Sequence, residues 1–257
     1  IHQYLNIAFF RNFMRQNYQP KPLFIERMKE LLGSAEYGRY KNSLSEEPVK
    51  SLRANTLKIS VKDLKKRLEA KNWKIKQPFE DYPEIIIVES ELMPGELGRS
   101  MEHLLGYYYL QEIASMLPAM TLNPKPGELV LDLCAAPGSK TTQMAAMMKN
   151  KGTIIANDAN LDRIKILASN TERCAATNTI LTRNDGVNFC RKLKEKNFLF
   201  DKILVDAPCS GEGTIKSTPK TLLMWNINTV KSLSKLQKKL LESAIEILKV
   251  GGEVVYS

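Results

Sequence analysis

The 257-residue chain is 43% hydrophobic, enough to bury one large core with a smaller appended domain, so one or two domains are expected. Lys and Arg number 38 against 28 Asp and Glu, a formal charge of +10 with a pI near 9.3, which disfavours an acidic partner and points to a polyanion such as nucleic acid. The basic residues are scattered, so charge alone leaves a basic but otherwise ordinary enzyme open.

In chain order, the first fifty or so residues read as helical and amphipathic. Phe9, Phe10, Phe13 and Met14, then Leu23, Phe24, Met28, Leu31 and Leu32, fall near helical spacing, and Gly33 is placed to close the second of these helices. Leu52 to Ile59 reads as a short strand, Val61 to Lys71 as a helix with Leu64 and Leu68 four apart, and Glu84 to Glu89 as an isoleucine-rich strand. They make a small α+β unit over residues 51–110, its end marked by Pro94 to Gly98 and a Tyr-rich segment from Gly106 to Leu110. From Glu128 onward strands alternate with helices. The strands are Leu129 to Leu133, Thr153 to Asn157, Thr179 to Thr182, Lys202 to Val205 and Glu253 to Tyr256; the helices are Thr141 to Lys149, Asp162 to Cys174 and Val230 to Lys249. This alternation predicts an α/β fold with a doubly wound, Rossmann-like parallel sheet over residues 111–257. In its last helix Leu233, Leu236, Leu240, Ala244 and Ile247 form one apolar stripe, read as core.

Cys134, Cys174, Cys190 and Cys209 show no CxxC spacing, and His2 and His103 are the only imidazoles. A reducing compartment without a disulfide framework is expected, and no metal. The longest apolar runs, such as Ile85 to Val88, fall far short of the roughly 20 residues of a membrane span. No signal-peptide pattern opens the chain, so a soluble, cytoplasmic monomer with no membrane partner is expected.

Chemistry concentrates at strand ends, where open parallel sheets place their ligands. The first end reads Leu131, Asp132, Leu133, Cys134, Ala135, Ala136, Pro137, Gly138, Ser139, Lys140. Small residues let the backbone approach a ligand closely, and the following helix offers unpaired N–H groups, which suits a nucleotide-like cofactor. A Walker loop does not fit, because no glycine precedes Gly138 at the required distance and Ser139 intervenes before Lys140. A dinucleotide fingerprint fails for want of glycines, while a plain small-residue connection stays open. The second strand ends at Asn157 and Asp158, where an acid can accept both hydroxyls of a ribose. Asp158 alone is equally a helix N-cap, and Asp162 with Arg163 equally a solvated first turn. Asn184, Asp185 and Gly186 follow the third strand. An isolated Asn-Asp-Gly is usually a turn; Asp185 gains weight, as a contact to an adenine amino group, from being the acid of a third consecutive strand end. The fourth end is the most specific: Asp206, Ala207, Pro208, Cys209, Ser210, Gly211, Glu212, Gly213, Thr214. A carboxylate and a thiol on a stiff Pro-containing turn suit covalent chemistry better than packing, with a buried structural cysteine as the alternative.

Cys134 to Lys140 and Asp206 to Gly213 resemble the two signature motifs of the Sun family of RNA 5-methylcytosine methyltransferases. The similarity extends across most of the chain, including Arg53 to Lys58 and Gln111 to Pro118. The resemblance implies methyl transfer from S-adenosylmethionine to C5 of cytosine in RNA, with tRNA the first expected substrate and rRNA the second. It implies a cofactor site lined by Cys134, Ala135, Ala136, Pro137, Gly138, Ser139, Lys140, Asp158, Arg163, Asp185 and Asp206, with Cys209 and Asp206 catalytic. The organisation it implies is a helical segment over residues 1–50, an RNA-recognition-like module over 51–110 and a methyltransferase domain over 111–257 that stops before its last strands.

Cytosine C5 is a weak nucleophile until a thiolate adds at C6, so a cysteine is obligatory and the base must be unstacked or unpaired. Asp206 is placed to hydrogen-bond the base near N3. The family pattern carries a second cysteine in a Thr-Cys motif just after the fifth strand, whereas this sequence reads Val255, Tyr256, Ser257. By resemblance that second cysteine, expected past Ser257, attacks C6 and Cys209 helps release the product, so cofactor binding with little turnover is expected. Attack by Cys209 itself, as in DNA cytosine methyltransferases, is the alternative. A catalytically silent RNA-binding module and a methyltransferase acting on DNA or protein are the other classes left open.

Overall fold

A computed structural model describes residues 19–44 and 46–257. The helical reading of Phe9, Phe10, Phe13 and Met14 lies outside the described residues. The chain divides into two compact units, one of Val49–Ala207 with Gln237–Ser257, the other of Pro208–Leu236 with residues up to Pro48.

Helix α1 (Pro22–Ser43) opens with proline at its start, where a missing N–H costs nothing. Gly33, read from sequence as its end, is a break within it: at φ 75° and ψ 163° it leaves helical space, and the chain then resumes the helix to Ser43. Ala35, Glu36, Arg39 and Lys41 are good helix formers that restart the turn once one glycine has interrupted it.

Four short strands follow, β1 (Ser51–Ala54), β2 (Ile75–Lys76), β3 (Ile85–Val88) and β4 (Tyr108–Leu110), in the order β2-β3-β1-β4 and antiparallel throughout. All four residues of β1 are buried. This strand ends at Ala54 rather than Ile59 because Asn55 captures the backbone: its carbonyl accepts from Lys58 and Ile59 N–H at 3.0 and 3.1 Å, and its Oδ1 from Leu57 N–H at 3.2 Å. Helix α2 (Val61–Glu69), capped by Ser60, buries Leu64 and Leu68 against Leu52, Trp73, Ile86 and Tyr108. Two single-turn helices, α3 (Glu96–Arg99) and α4 (Met101–Leu104), precede β4.

Helix α5 (Ile113–Leu122) leads into the second sheet, with β5 (Leu129–Asp132), α6 (Ser139–Met147), β6 (Thr153–Asp158), α7 (Leu161–Arg173), β7 (Thr179–Arg183), α8 (Gly186–Glu195) and β8 (Phe200–Val205). Its order is β7-β6-β5-β8-β9, parallel at every pairing. The order reverses at β5, so the carboxyl ends of β5, β6 and β8 share one edge. Helix α8 escapes the sequence reading although Val187, Cys190 and Leu193 recur at helical spacing; Asp185 starts it by accepting from Asn188 N–H at 2.9 Å.

Past β8 the chain makes a 3-10 turn (Glu212–Thr214), α9 (Thr221–Met224), α10 (Ile227–Ile245) and β9 (Leu248–Tyr256). Helix α10 ends short of the expected Lys249 because Leu248 already pairs with Phe200. The chain then bulges through Gly251, at φ 82°, before Glu253 pairs with Lys202. In the unit containing α1, Phe24 and Met28 pack on Ile215, Leu222 and Trp225, the Phe24 and Trp225 rings meeting edge to face at 5.3 Å. Among the described residues no helix is long and apolar enough to cross a membrane, and no three His, Cys, Asp or Glu residues group as metal ligands.

Candidate functional site

Between β5 and α6 the turn Cys134–Lys140 is held from several directions. Ala135 N–H donates to Asn157 O at 2.7 Å, and Gly138 N–H to Ala135 O at 2.8 Å. Gly138, at φ 104°, must be glycine twice over, since a Cβ there would also stand 2.8 Å from Leu167 Cδ1. Four successive carbonyls of the turn accept from side chains. Arg163 Nη2 donates to Ala136 O, Asn170 Nδ2 to Pro137 O at 2.9 Å, Thr142 Oγ1 to Gly138 O at 2.8 Å, and Arg53 Nη1 to Ser139 O at 2.8 Å. With its carbonyls engaged, the turn presents the first-turn N–H groups that helix geometry leaves unpaired.

Three carboxylates gather at the neighbouring strand ends. Asp132, 1% exposed, accepts from Thr141 Oγ1 at 2.7 Å through Oδ2, while its buried Oδ1 has no hydrogen-bond partner. Burial pushes its carboxyl up to about 7, Thr141 and Lys140 opposing and Asp206 and Asp158 reinforcing the shift. Asp158, 3% exposed, accepts from Asn160 N–H at 3.0 Å through Oδ1. Its Oδ2 lies 3.2 Å from Arg163 Nη1 without a directed hydrogen bond, so this pair is one of charge alone. Asn160, not Asp158, caps α7, accepting from Asp162 and Arg163 N–H at 2.9 and 3.1 Å, which leaves Asp158 free of that duty. Asp206 pairs with Lys140 Nζ at 2.7 Å, and the same ammonium, almost wholly buried, donates to Ser115 Oγ at 3.1 Å.

Asp185 lies at the end of β7 and is engaged through Oδ1 as the cap of α8. Asn157 stitches three strand ends, donating to Leu133 O and Asn184 O at 3.2 and 3.0 Å and accepting from Thr182 Oγ1 at 3.0 Å. Cys134 sits beside the acids; burial, then Asp132, Asp158 and Asp206, push its thiol up to about 12, so it stays protonated at neutral pH. Cys174 and Cys190 are buried with raised thiols, whereas Cys209 is exposed.

Cys209 belongs to the other unit. Its loop turns at Gly211, φ 75°, where a Cβ would meet Thr221 Cγ2 at 3.0 Å. The following turn is fixed by Glu212, whose Oε1 accepts from Trp225 Nε1 at 2.7 Å and Arg27 Nε at 3.3 Å.

Of the residues singled out by sequence, Cys134 to Lys140, Asp158, Arg163 and Asp206 come together at one edge of the sheet. Asp185 stands at the end of the outer strand β7, and Cys209 is on a loop of the other unit. Sequence reading missed Asp132, which its position as an acid closing an apolar strand could have revealed. It also missed Arg53, Asn157 and Asn170, whose partners are remote in sequence.

Comparison with known proteins gives two family matches: 16S rRNA methyltransferase RsmB/F over residues 119–257, and the N-terminal domain of 16S rRNA methyltransferase RsmF over residues 21–113. The chain is 44% identical over 211 residues to ribosomal RNA small subunit methyltransferase F of Vibrio cholerae serotype O1 strain M66-2, covering 81% of this chain and 44% of the relative. It is 42% identical over 221 residues to the protein of that name from Shewanella piezotolerans, covering 84% and 45%. It therefore spans less than half the length of these relatives. Among solved structures it resembles PH0851, with a TM-score of 0.83 and 33% identity over 95% of this chain and 54% of that one. A methyltransferase homolog protein from Pyrococcus horikoshii gives 0.77 and 37% over 95% and 74%, and NSun6 from Pyrococcus horikoshii with SFG gives 0.78 and 25% over 90% and 81%. On the extent of these matches and the strand-end motifs they cover, the chain belongs to the RsmB/F family of methyltransferases, within the Sun group.

Proposed function

We propose that the chain is the cofactor-binding core of a cytoplasmic, S-adenosylmethionine-dependent methyltransferase that modifies C5 of cytosine in small-subunit ribosomal RNA. The observation that carries this reading is the gathering of Asp132, Asp158 and Asp206 beside the Ala-Pro-Gly turn. Two of them are buried with an oxygen that has no hydrogen-bond partner. Such orphaned acceptors fit a ligand rich in hydroxyl and ammonium donors and carrying positive charge. Asp158 would accept from the ribose hydroxyls, the turn and the start of α6 would hold the amino acid end, and Asp185 would meet the adenine amino group. When bound, S-adenosylmethionine supplies a methyl group on a sulfonium centre.

Lys140 holds Asp206 toward the reacting base, where its carboxyl would hydrogen-bond cytosine near N3. A thiolate added at C6 would make C5 nucleophilic toward the methyl donor; with C5 methylated, a base would take its proton and the C–H electrons would restore the C5–C6 double bond as the thiolate is expelled. Cys134, held as a thiol, does not suit the attack, and Cys209 is the exposed cysteine. In the family pattern attack falls to the Thr-Cys cysteine, which these 257 residues do not include, and Cys209 assists release.

Ribosomal RNA now stands ahead of tRNA as the substrate, because the relatives matched over four-fifths of the chain carry that name. The test is transfer of labelled methyl to 16S rRNA, 30S subunits and tRNA by protein extended past Ser257, with nucleoside analysis. Label in 5-methylcytidine of the rRNA supports the reading; label confined to tRNA moves the substrate, and label in another nucleoside overturns it.

A further inference from the structure

The four carbonyl ties on the cofactor turn do not all come from the sheet that bears it. Three come from the neighbouring helices α6 and α7, but Arg53 is on β1 of the small antiparallel sheet, 86 residues from Ser139. On β4 of the same sheet, Tyr109 places its hydroxyl 3.5 Å from Pro137 O and accepts from Asn170 Nδ2 at 3.2 Å. Register sets Arg53 directly opposite Tyr109, and the guanidinium lies 5.6 Å from the ring centre.

Arg53 is 3% exposed, and none of its hydrogen-bond partners is a carboxylate. Its Nη1 donates to Gln111 Oε1 and Ser139 O, and its Nη2 to Thr142 Oγ1 at 2.9 Å, the hydroxyl that in turn reaches Gly138 O. A buried cation that hydrogen-bonds to no carboxylate is expensive packing, so this one is explained by what its fork reaches. The planar guanidinium reaches the helix-start carbonyl and a hydroxyl one turn on through two separate, rigidly spaced nitrogens; a lysine ammonium has its three donors on one atom and would have to draw both acceptors to a single point.

We infer that Arg53 is a positioning residue for the cofactor: the small sheet, through Arg53 and secondarily Tyr109, fixes the Ala136–Ser139 turn in its binding shape. Cofactor affinity is therefore set partly by the sheet otherwise assigned to RNA. This rests on the cofactor reading above.

The test compares the chain with Arg53→Lys, Tyr109→Phe and Asn55→Ala. Asn55 bridges the same seam, donating to Gly106 O and Cys174 O at 2.8 Å, but touches no part of the turn. Calorimetric titration with S-adenosylhomocysteine is paired with amide hydrogen exchange across residues 135–141 in the absence of ligand. Arg53→Lys should weaken binding at least about tenfold and speed exchange in the turn, as misplaced site backbone does. Tyr109→Phe should weaken it by a few fold, and Asn55→Ala should leave it within about twofold despite lowering thermal stability. If Arg53→Lys does not fold, Arg53→Gln, a shorter neutral amide that cannot span Ser139 O and Thr142 Oγ1 together, is read the same way. Affinity and exchange unchanged in Arg53→Lys, or equally altered in Asn55→Ala, would overturn the inference. A parent chain that binds no S-adenosylhomocysteine overturns the cofactor reading instead, and the ligand-free exchange comparison then decides the role of Arg53 by itself.

Discussion

Replacing Asp132 by asparagine changes how the fold responds to pH. Asp132 ionises near 3.8 in an unfolded chain and at about 7 in the folded one, because water is excluded from it. Between those values the folded state holds a proton that the unfolded state has lost, so stability falls as pH rises from 3.8 to 7 and levels off above. Each pH unit is worth about 1.4 kcal/mol, so roughly three of them set a ceiling near 4 kcal/mol. The negative charges of Asp206 and Asp158 nearby add to the upward push that burial gives Asp132. The asparagine would keep an acceptor for Thr141 but place an amide where the orphaned oxygen stands, at a cost on the order of 1–2 kcal/mol that does not vary with pH. Urea unfolding of both proteins without ligand, from pH 5 to pH 8.5, gives the comparison. The parent should lose stability relative to Asp132→Asn as pH rises, the difference flattening above neutrality. Curves that stay parallel within about 0.5 kcal/mol would refute the argument that burial, rather than local pairing, governs this carboxyl.

Gly138→Ala should abolish measurable S-adenosylhomocysteine binding and cost about 1–3 kcal/mol in denaturant unfolding, because it adds strain at φ 104° and a clash with Leu167. Brief iodoacetamide treatment of the native chain should alkylate Cys209 before the other three thiols, read by peptide mass spectrometry; equal labelling of half-buried Cys134 would contradict its raised thiol. Glu212→Ala should destabilise the chain by roughly 1–2 kcal/mol by leaving the Trp225 indole N–H and Arg27 without their shared acceptor. Glu212→Gln, which can still accept from the indole, should recover most of that loss in thermal unfolding, and no recovery would assign the effect to charge alone.

What the sequence disclosed and what it withheld follow from the range of the interactions involved. The strands β5, β6 and β8 were legible because short apolar runs closed by an acid are a local signature of buried parallel strands, and β7, with no buried residue, was legible from its β-branched Thr179, Ile180 and Thr182. The turn at Ala136–Gly138 was legible because small residues and proline are punctuation. Asn55 ended β1 early through a side chain that bonds its own neighbourhood, a competition invisible to an apolar count. The boundary between α10 and β9 moved because Leu248 answers to Phe200, a partner 48 residues earlier. Arg53 was noticed only as part of a motif; its role depends on acceptors 58 to 90 residues away, which no window along the chain contains.

Arg53 and Asn55 also bear on inheritance. The two family matches leave residues 114–118 between them, where the sequence invites a cut, and recombination there would on that count exchange one N-terminal domain for another. Yet Asn55 reaches Cys174, Arg53 reaches the start of α6, and both sheets lie in one compact unit. A graft that exchanges residues 51–110 must bring an arginine at position 53 or inherit a loosened turn, and an asparagine at position 55 or inherit a weaker seam to Cys174. Domains of this kind are expected to diverge on their outer faces while keeping those two residues, so change would be tried on a surface whose underside stays tied to the larger sheet.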